Sequence, residues 1–147
     1  MKKRLFFILM ILLCACQSQS AVPKRDLNQN VTLLFFYVET CPQCKAFKKE
    51  AVPYLESTFG EYIDIELYDL DAKETEAVYN QVIDSLEDFD ESFYGKGPFY
   101  AIEGYFATLG YTDGDEEEIA NDIEKAVQHK ELGYELEAYR FLYKEFQ

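Results

Sequence analysis

Apolar positions along this chain change their period several times, and each change marks an element. Residues 31–38 form an unbroken apolar, β-branched and aromatic run of strand length. Such a run suits a central strand covered on both faces, as parallel sheets require. Cys44, Phe47, Ala51, Tyr54, Leu55 and Phe59 then recur at helical spacing, and Gly60 ends the pattern. Pro53 lies inside it and predicts a kink or a split near Ala51, because it has no N–H to give the turn before it. Residues 62–68 alternate in part and read as a second strand that leaves at Leu70-Asp71. Ala77, Val78, Val82, Ile83 and Leu86 make a helical stripe within residues 74–89. An acidic loop with Asp88, Asp90, Glu91 and Ser92 follows. Residues 99–102 and 105–109 read as a third and a fourth strand joined by a tight turn at Glu103-Gly104. Asp115 predicts a helix N-cap, with Glu116, Glu117 and Glu118 in the first turn, where the helix dipole favours acids. Ile119, Ile123, Ala126 and Val127 supply the inner face of that helix, and Gly133 closes the unit. Residues 135–146 predict one more short helix, with Leu136, Tyr139, Leu142 and Phe146 along one side. The order is β, α, β, α, β, β, α and a tail, an α/β chain with a central sheet of about four strands flanked by helices.

The N-terminus carries an address. Met1-Lys2-Lys3-Arg4 is basic, and residues 5–13 hold no charged or polar side chain. That segment is far short of the roughly 20 residues a spanning helix needs, and it has the flanks of a secretory signal peptide. Leu13-Cys14-Ala15-Cys16 resembles a bacterial lipobox. The resemblance implies a signal peptide over residues 1–15, cleavage after Ala15, lipidation of Cys16 and a place on the extracytoplasmic face of a membrane. An ordinary cleaved signal peptide or an uncleaved anchor is the plainer alternative. Each of these exports the chain to a compartment where disulfides form and persist. Residues 16–28 are polar and aperiodic and read as a flexible tether, followed by a domain over 29–131 and a helical tail over 132–147.

Loss of residues 1–15 would leave 132 residues, enough for one domain with a real core, and would lower the net charge from −14 to −17. A surface so acidic argues against nucleic acid and against anionic lipid head groups, and it keeps the domain soluble. Twelve Tyr and twelve Phe with no Trp make the expected core aromatic and aliphatic.

The chemistry lies in Cys41-Pro42-Gln43-Cys44, which directly follows the first strand. Two cysteines two residues apart, where a strand gives way to a helix, can close a disulfide and open it again. Unpaired N–H groups of the first helical turn favour a thiolate at Cys41, and the fixed φ of Pro42 suits the first helical position. Lys45, Lys48 and Lys49 add positive charge nearby, while Glu39 acts the other way. Cys44, one turn in, is expected to be more buried and to keep its proton. Cys41 is therefore the candidate nucleophile and Cys44 the candidate resolving thiol. A purely structural disulfide is the alternative, although it would close a small strained ring. A zinc site would want four ligands, and the chain offers a single histidine, His129, so no metal or cofactor is expected. The many carboxylates show no paired acid/base arrangement, and no Ser/His/Asp set can be assembled.

The motif after the first long strand, together with Gly97-Pro98 just before the third, resembles the thioredoxin-like thiol–disulfide oxidoreductases over about residues 29–130. The resemblance implies a thioredoxin-like fold with Pro98 as a cis-proline beside the redox cysteines, and the peptide before it pairing with substrate backbone. A trans turn proline is the alternative. Gly97 replaces the more common branched residue, which predicts a more open peptide-binding edge. Two further positions depart from the family: Thr40 stands where Trp usually precedes the first cysteine, and Phe35 where a buried, proton-relaying acid often stands. Pro42 after the first cysteine resembles glutaredoxins and strong periplasmic oxidants. Between Cys44 and Pro98 lie 53 residues, with an extended helix/loop insert over 74–96. Within it, residues 88–97 are either a lid or a plain solvated loop. The function implied is extracytoplasmic thiol–disulfide exchange on exported proteins or peptides, its direction open, with an electron partner at or outside the membrane. The alternative is a lipid-anchored accessory or chaperone protein for secretion that binds clients without redox turnover.

Overall fold

Val31–Tyr37 (β1) takes the apolar run into the middle of a sheet, where side chains alternate between two covered faces. Leu33 and Phe35 enter one core and Leu34 and Phe36 the other, with Phe35 and Phe36 fully buried. The computed structural model describes residues 22–146. The expected signal peptide, Cys14 and Cys16 lie outside the described residues.

The helical pattern after β1 is a continuous column over residues 42–59. It comprises Pro42–Ala46 (α1), a π-helical segment Phe47–Ala51 and Val52–Phe59 (α2). The amide of Val52 bonds back five residues to the Phe47 carbonyl, just ahead of Pro53 in the first turn of α2. The widened turn absorbs the bond that Pro53 cannot make, so the column continues past the proline. Ile63–Asp69 (β2) pairs parallel with β1, and Thr75–Ser85 (α3) packs on the opposite sheet face from the 42–59 column.

Phe99–Ile102 (β3) and Phe106–Leu109 (β4) form a hairpin whose turn uses Gly104 at φ 81°, a backbone region open to glycine. Glu116–Val127 (α4) covers the same face as the 42–59 column and buries Ile119, Ile123, Ala126 and Val127. Asp115 stands at its start but makes no capping bond into the helix; its carboxylate accepts the Thr112 N–H at 2.8 Å instead.

Among the described residues the sheet has five strands rather than about four, in the order β2-β1-β3-β4-β5. The added strand is Arg140–Leu142 (β5), which pairs antiparallel with β4. The final helix expected over 135–146 is thus a short 3₁₀ turn, Glu137–Tyr139, followed by a strand. Spacing alone suited a helix. The open edge of β4 offers backbone partners, and Phe141 packs against Phe89 on one face while Arg140 lies over Phe106 on the other. A bridge from Leu86 to Tyr143 ties the tail to the end of α3.

Arg140 also reaches a buried acid. Its guanidinium donates to Asp122 of α4 and to the Gly133 carbonyl at 2.7 Å, and Asp122 accepts the Gly133 N–H at 2.7 Å. Both side chains are almost wholly buried, 7% and 2% exposed. Arg25 and Leu27, expected to belong to a flexible tether over 16–28, contact the domain. Arg25 bonds Asn121 at 2.7 Å, its amide bonds the Thr58 carbonyl at 2.7 Å, and Leu27 enters the core.

Removing one partner of a buried pair strands the other charge, at a cost of about 3–5 kcal/mol. Asp122→Ala is therefore expected to lower unfolding free energy by about that much in urea titrations. The double variant Asp122→Leu/Arg140→Met should recover most of the loss.

Candidate active site

Cys41 ends the loop that leaves β1, with its amide bonded to the Val38 carbonyl at 3.0 Å. It is the N-cap of α1, with extended backbone (φ −75°, ψ 119°), and its sulfur accepts the Cys44 N–H at 3.2 Å. The same sulfur donates to the Gly97 carbonyl at 3.6 Å. Pro42 occupies the first turn, where an N–H would have no helical partner. The geometry follows from sequence order. β1 ends, a tight turn reverses the chain, and the column starts on a residue whose side chain satisfies one orphan donor.

Cys41 is half-buried and Cys44 fully buried, and both are free thiols. Burial, reinforced by the bond the Cys44 thiol donates to the Cys41 sulfur, pushes the Cys44 thiol from 9.0 up to about 12, while a backbone hydrogen bond at Val38 and, more weakly, the charge of Lys48 work the other way. Lys48 is a held cation. Its Nζ lies 3.3 Å above the centre of the Tyr37 ring and 3.0 Å from Glu39 Oε1. Glu39, read from sequence as simply opposing the thiolate, is the partner that fixes this lysine. Lys49 instead pairs with Glu50 at 2.6 Å, and Lys45 is exposed.

Beneath the motif lies an aromatic floor. Phe35 stacks on Phe47 at 4.2 Å between ring centres, and Phe47 in turn meets Tyr100 at 5.1 Å and Tyr111 at 5.2 Å. Burial raises the pKa of both tyrosines, and the Tyr111 hydroxyl donates to Glu116. The floor therefore supplies no base at neutral pH.

The Gly97–Pro98 bond is cis, Pro98 is buried, and its carbonyl accepts the Gly110 N–H at 2.8 Å. Gly97 lies directly against the cysteine pair. A Cβ there would stand 3.2 Å from Cys44 Sγ and 3.3 Å from the Phe36 carbonyl oxygen. The glycine thus makes room for the Cys44 sulfur, where the sequence suggested only a more open edge. Of the 88–97 segment, Phe93 and Phe89 pack on Phe141 and Tyr94 on Tyr79, while Asp88, Asp90 and Glu91 face solvent.

No family model matches the chain, and no curated protein matches it either. The reading of this site rests on its own geometry. Among the described residues no cluster of three His, Cys, Asp or Glu side chains is placed to hold a metal, and no helix is long and apolar enough to cross a membrane. His129 is exposed beyond α4, remote in sequence from the motif.

Sequence patterns placed Cys41, Cys44 and Pro98 but missed the Lys48–Glu39–Tyr37 arrangement. A signal existed, since Lys48 is four residues after Cys44 and so shares its helix face. The pairing with Glu39 depends on how the loop after β1 turns, which spacing does not reveal.

Two outcomes follow. Gly97→Val should cost about 1–3 kcal/mol by crowding Cys44 and the Phe36 carbonyl, read from the denaturant midpoint. The unfolded chain releases the Cys44 proton near 9.0 and the folded chain near about 12. The contribution of Cys44 to stability is thus complete below pH 9.0 and is lost as pH rises toward about 12. Between pH 9.0 and about pH 12, unfolding midpoints should fall more steeply for the parent protein than for Cys44→Ala.

Proposed function

We propose that this chain is a thioredoxin-like thiol–disulfide exchange enzyme, with Cys41 attacking and Cys44 resolving. The observation that carries the reading is the Cys41 sulfur, held at a helix N-terminus between the Cys44 N–H and the Gly97 carbonyl of a cis Gly97–Pro98 bond. A sulfur so placed receives a backbone donor while remaining half-exposed to a partner disulfide.

The step balances as follows. The Cys41 thiolate attacks one sulfur of a client disulfide, that S–S bond breaks, and the client's other sulfur leaves as a thiolate. Cys44 gives its proton to solvent and attacks the Cys41 sulfur, releasing the client's first sulfur as a second thiolate. Two electrons have passed to the client, and the pair ends as a disulfide. Run backwards, the same steps oxidise a client dithiol. The carbonyl of Gly97, beside the attacked sulfur, is the acceptor against which a client's backbone would align.

Lys48 has a positioning part in this scheme. Cys44 must lose a proton that burial holds tightly, with Phe35 where a carboxylate would otherwise help. The cation held by Glu39 and Tyr37 lowers that cost. The N-terminal sequence completes the proposal. Export, with a lipid on Cys16, would place the enzyme outside the cytoplasm, where exported proteins or peptides are its clients and a second thiol protein resets its redox state.

Cys44→Ser is expected to accumulate mixed disulfides through Cys41, visible on non-reducing gels and dissolved by dithiothreitol, whereas Cys41→Ser should form none. Absence of adducts from Cys44→Ser with any disulfide substrate would instead leave a protein that binds clients without redox turnover. Lys48→Met should slow resolution of the mixed disulfide about fivefold, the equivalent of about 1 kcal/mol for one nearby charge. Stopped-flow chase of a labelled adduct reads this, and the effect should shrink as pH rises.

A further inference from the structure

Stabilising a thiolate stabilises the reduced form of a cysteine pair and makes its disulfide more oxidising, so the groups around Cys41 bear on the direction of electron flow. Among the described residues the Cys41 sulfur accepts one hydrogen bond, from the Cys44 N–H at 3.2 Å. On another side it meets the Gly97 carbonyl oxygen at 3.6 Å, an acceptor that suits a thiol proton and repels a negative sulfur. Pro42 resembles the residue found in strong oxidants, yet at the first helical position it brings no N–H to the sulfur.

The cations of the 42–59 column do little to offset this. Lys48 lies 3.0 Å from Glu39 Oε1 and Lys49 lies 2.6 Å from Glu50 Oε1, so each is matched by a carboxylate. Lys45 is exposed, where water and salt screen its charge. The net charge of −14 sets a field of the same sign as a thiolate. Cys44, for its part, is fully buried in the core that holds Phe35 and Phe47. A disulfide carries neither charge nor proton, so that apolar place takes it without the desolvation cost a thiolate would bear.

We propose that the Cys41/Cys44 pair works as a reductant, giving two electrons to client disulfides and ending each turnover as a disulfide itself. The proposal rests on the exchange reading above and gives that reaction its direction. The clients are then polypeptides carrying a disulfide to be opened, and the partner that restores the pair is a dithiol protein of lower potential. One thiolate of that partner attacks the Cys41 sulfur, the Cys41–Cys44 bond breaks, and Cys44 leaves and takes a proton from solvent. The partner's second thiolate attacks its first sulfur and releases Cys41, so the partner becomes the disulfide and both cysteines are reduced. The same two electrons then pass to the client. Glu39 keeps the balance on this side by holding the charge of Lys48.

The test equilibrates the reduced protein with oxidised thioredoxin and reads both redox states by alkylation of the free thiols. The equilibrium constant is expected within about a hundredfold of unity, or on the side where this protein holds the disulfide; the strongest oxidants of this chemistry stand about 10⁵-fold away on the other side. Glu39→Gln, at an exposed position, frees Lys48 from its carboxylate and should move the constant about threefold toward oxidation, the size of one exposed ion pair. A constant more than about a hundredfold on the oxidising side would overturn the direction and leave the exchange chemistry standing. A Glu39→Gln constant that stays put or moves toward reduction would overturn the part given to the Lys48–Glu39 pair. Failure of the parent protein to exchange with thioredoxin and with dithiothreitol alike would overturn the exchange reading and the direction with it.

Discussion

The constraint on which the rest depends is the double-sided burial of β1. Its residues have no solvent face, so Phe35 and Phe36 must each find a covering layer, and the layers they recruit are the 42–59 column and α3. Phe35 stacking on Phe47 fixes the column against the strand less than one turn beyond Cys44. The loop between them is consequently short and its exit defined, and Cys41 lands on the first turn. The position of Cys41 is a packing result before it is a chemical one.

The same packing creates the difficulty in the chemistry. The aromatic floor helps to bury Cys44, and that burial holds its thiol protonated. Nearby, Lys48 lies over the Tyr37 ring and pairs with Glu39, and its charge opposes that burial. Gly97 answers the steric side of the problem. With no side chain it lets the cis-proline segment come within contact of Cys44, so that one carbonyl serves Cys41 while the backbone beside it roofs its partner.

Much of this was legible from residue patterns because it rests on local rules. The run over 31–38, the altered helical turn ahead of Pro53, the turn at Glu103-Gly104 and the placement of Cys41, Cys44 and Pro98 follow from period, propensity and backbone chemistry. What escaped depends on contacts distant in sequence. Residues 135–146 carry a helical spacing of apolar side chains, but the unpaired edge of β4 and the buried carboxylate of Asp122 lie outside any local window. Together they turn the segment into β5. Asp115 looked like a cap, yet its carboxylate is captured by Thr112 in the preceding loop. Leu27 joined the core because Arg25 found partners about a hundred residues away in the chain.

Capture of β4 by β5 leaves β2 as the uncapped margin of the sheet on the far side. That margin presents Asp64 and Glu66 outward, with Leu67 nearly half exposed between them and Tyr68. Two copies approaching margin to margin would bring like charges together along the very strand whose backbone could zip them into a larger assembly. In a protein this acidic, such repulsion would keep neighbouring copies separate along that edge.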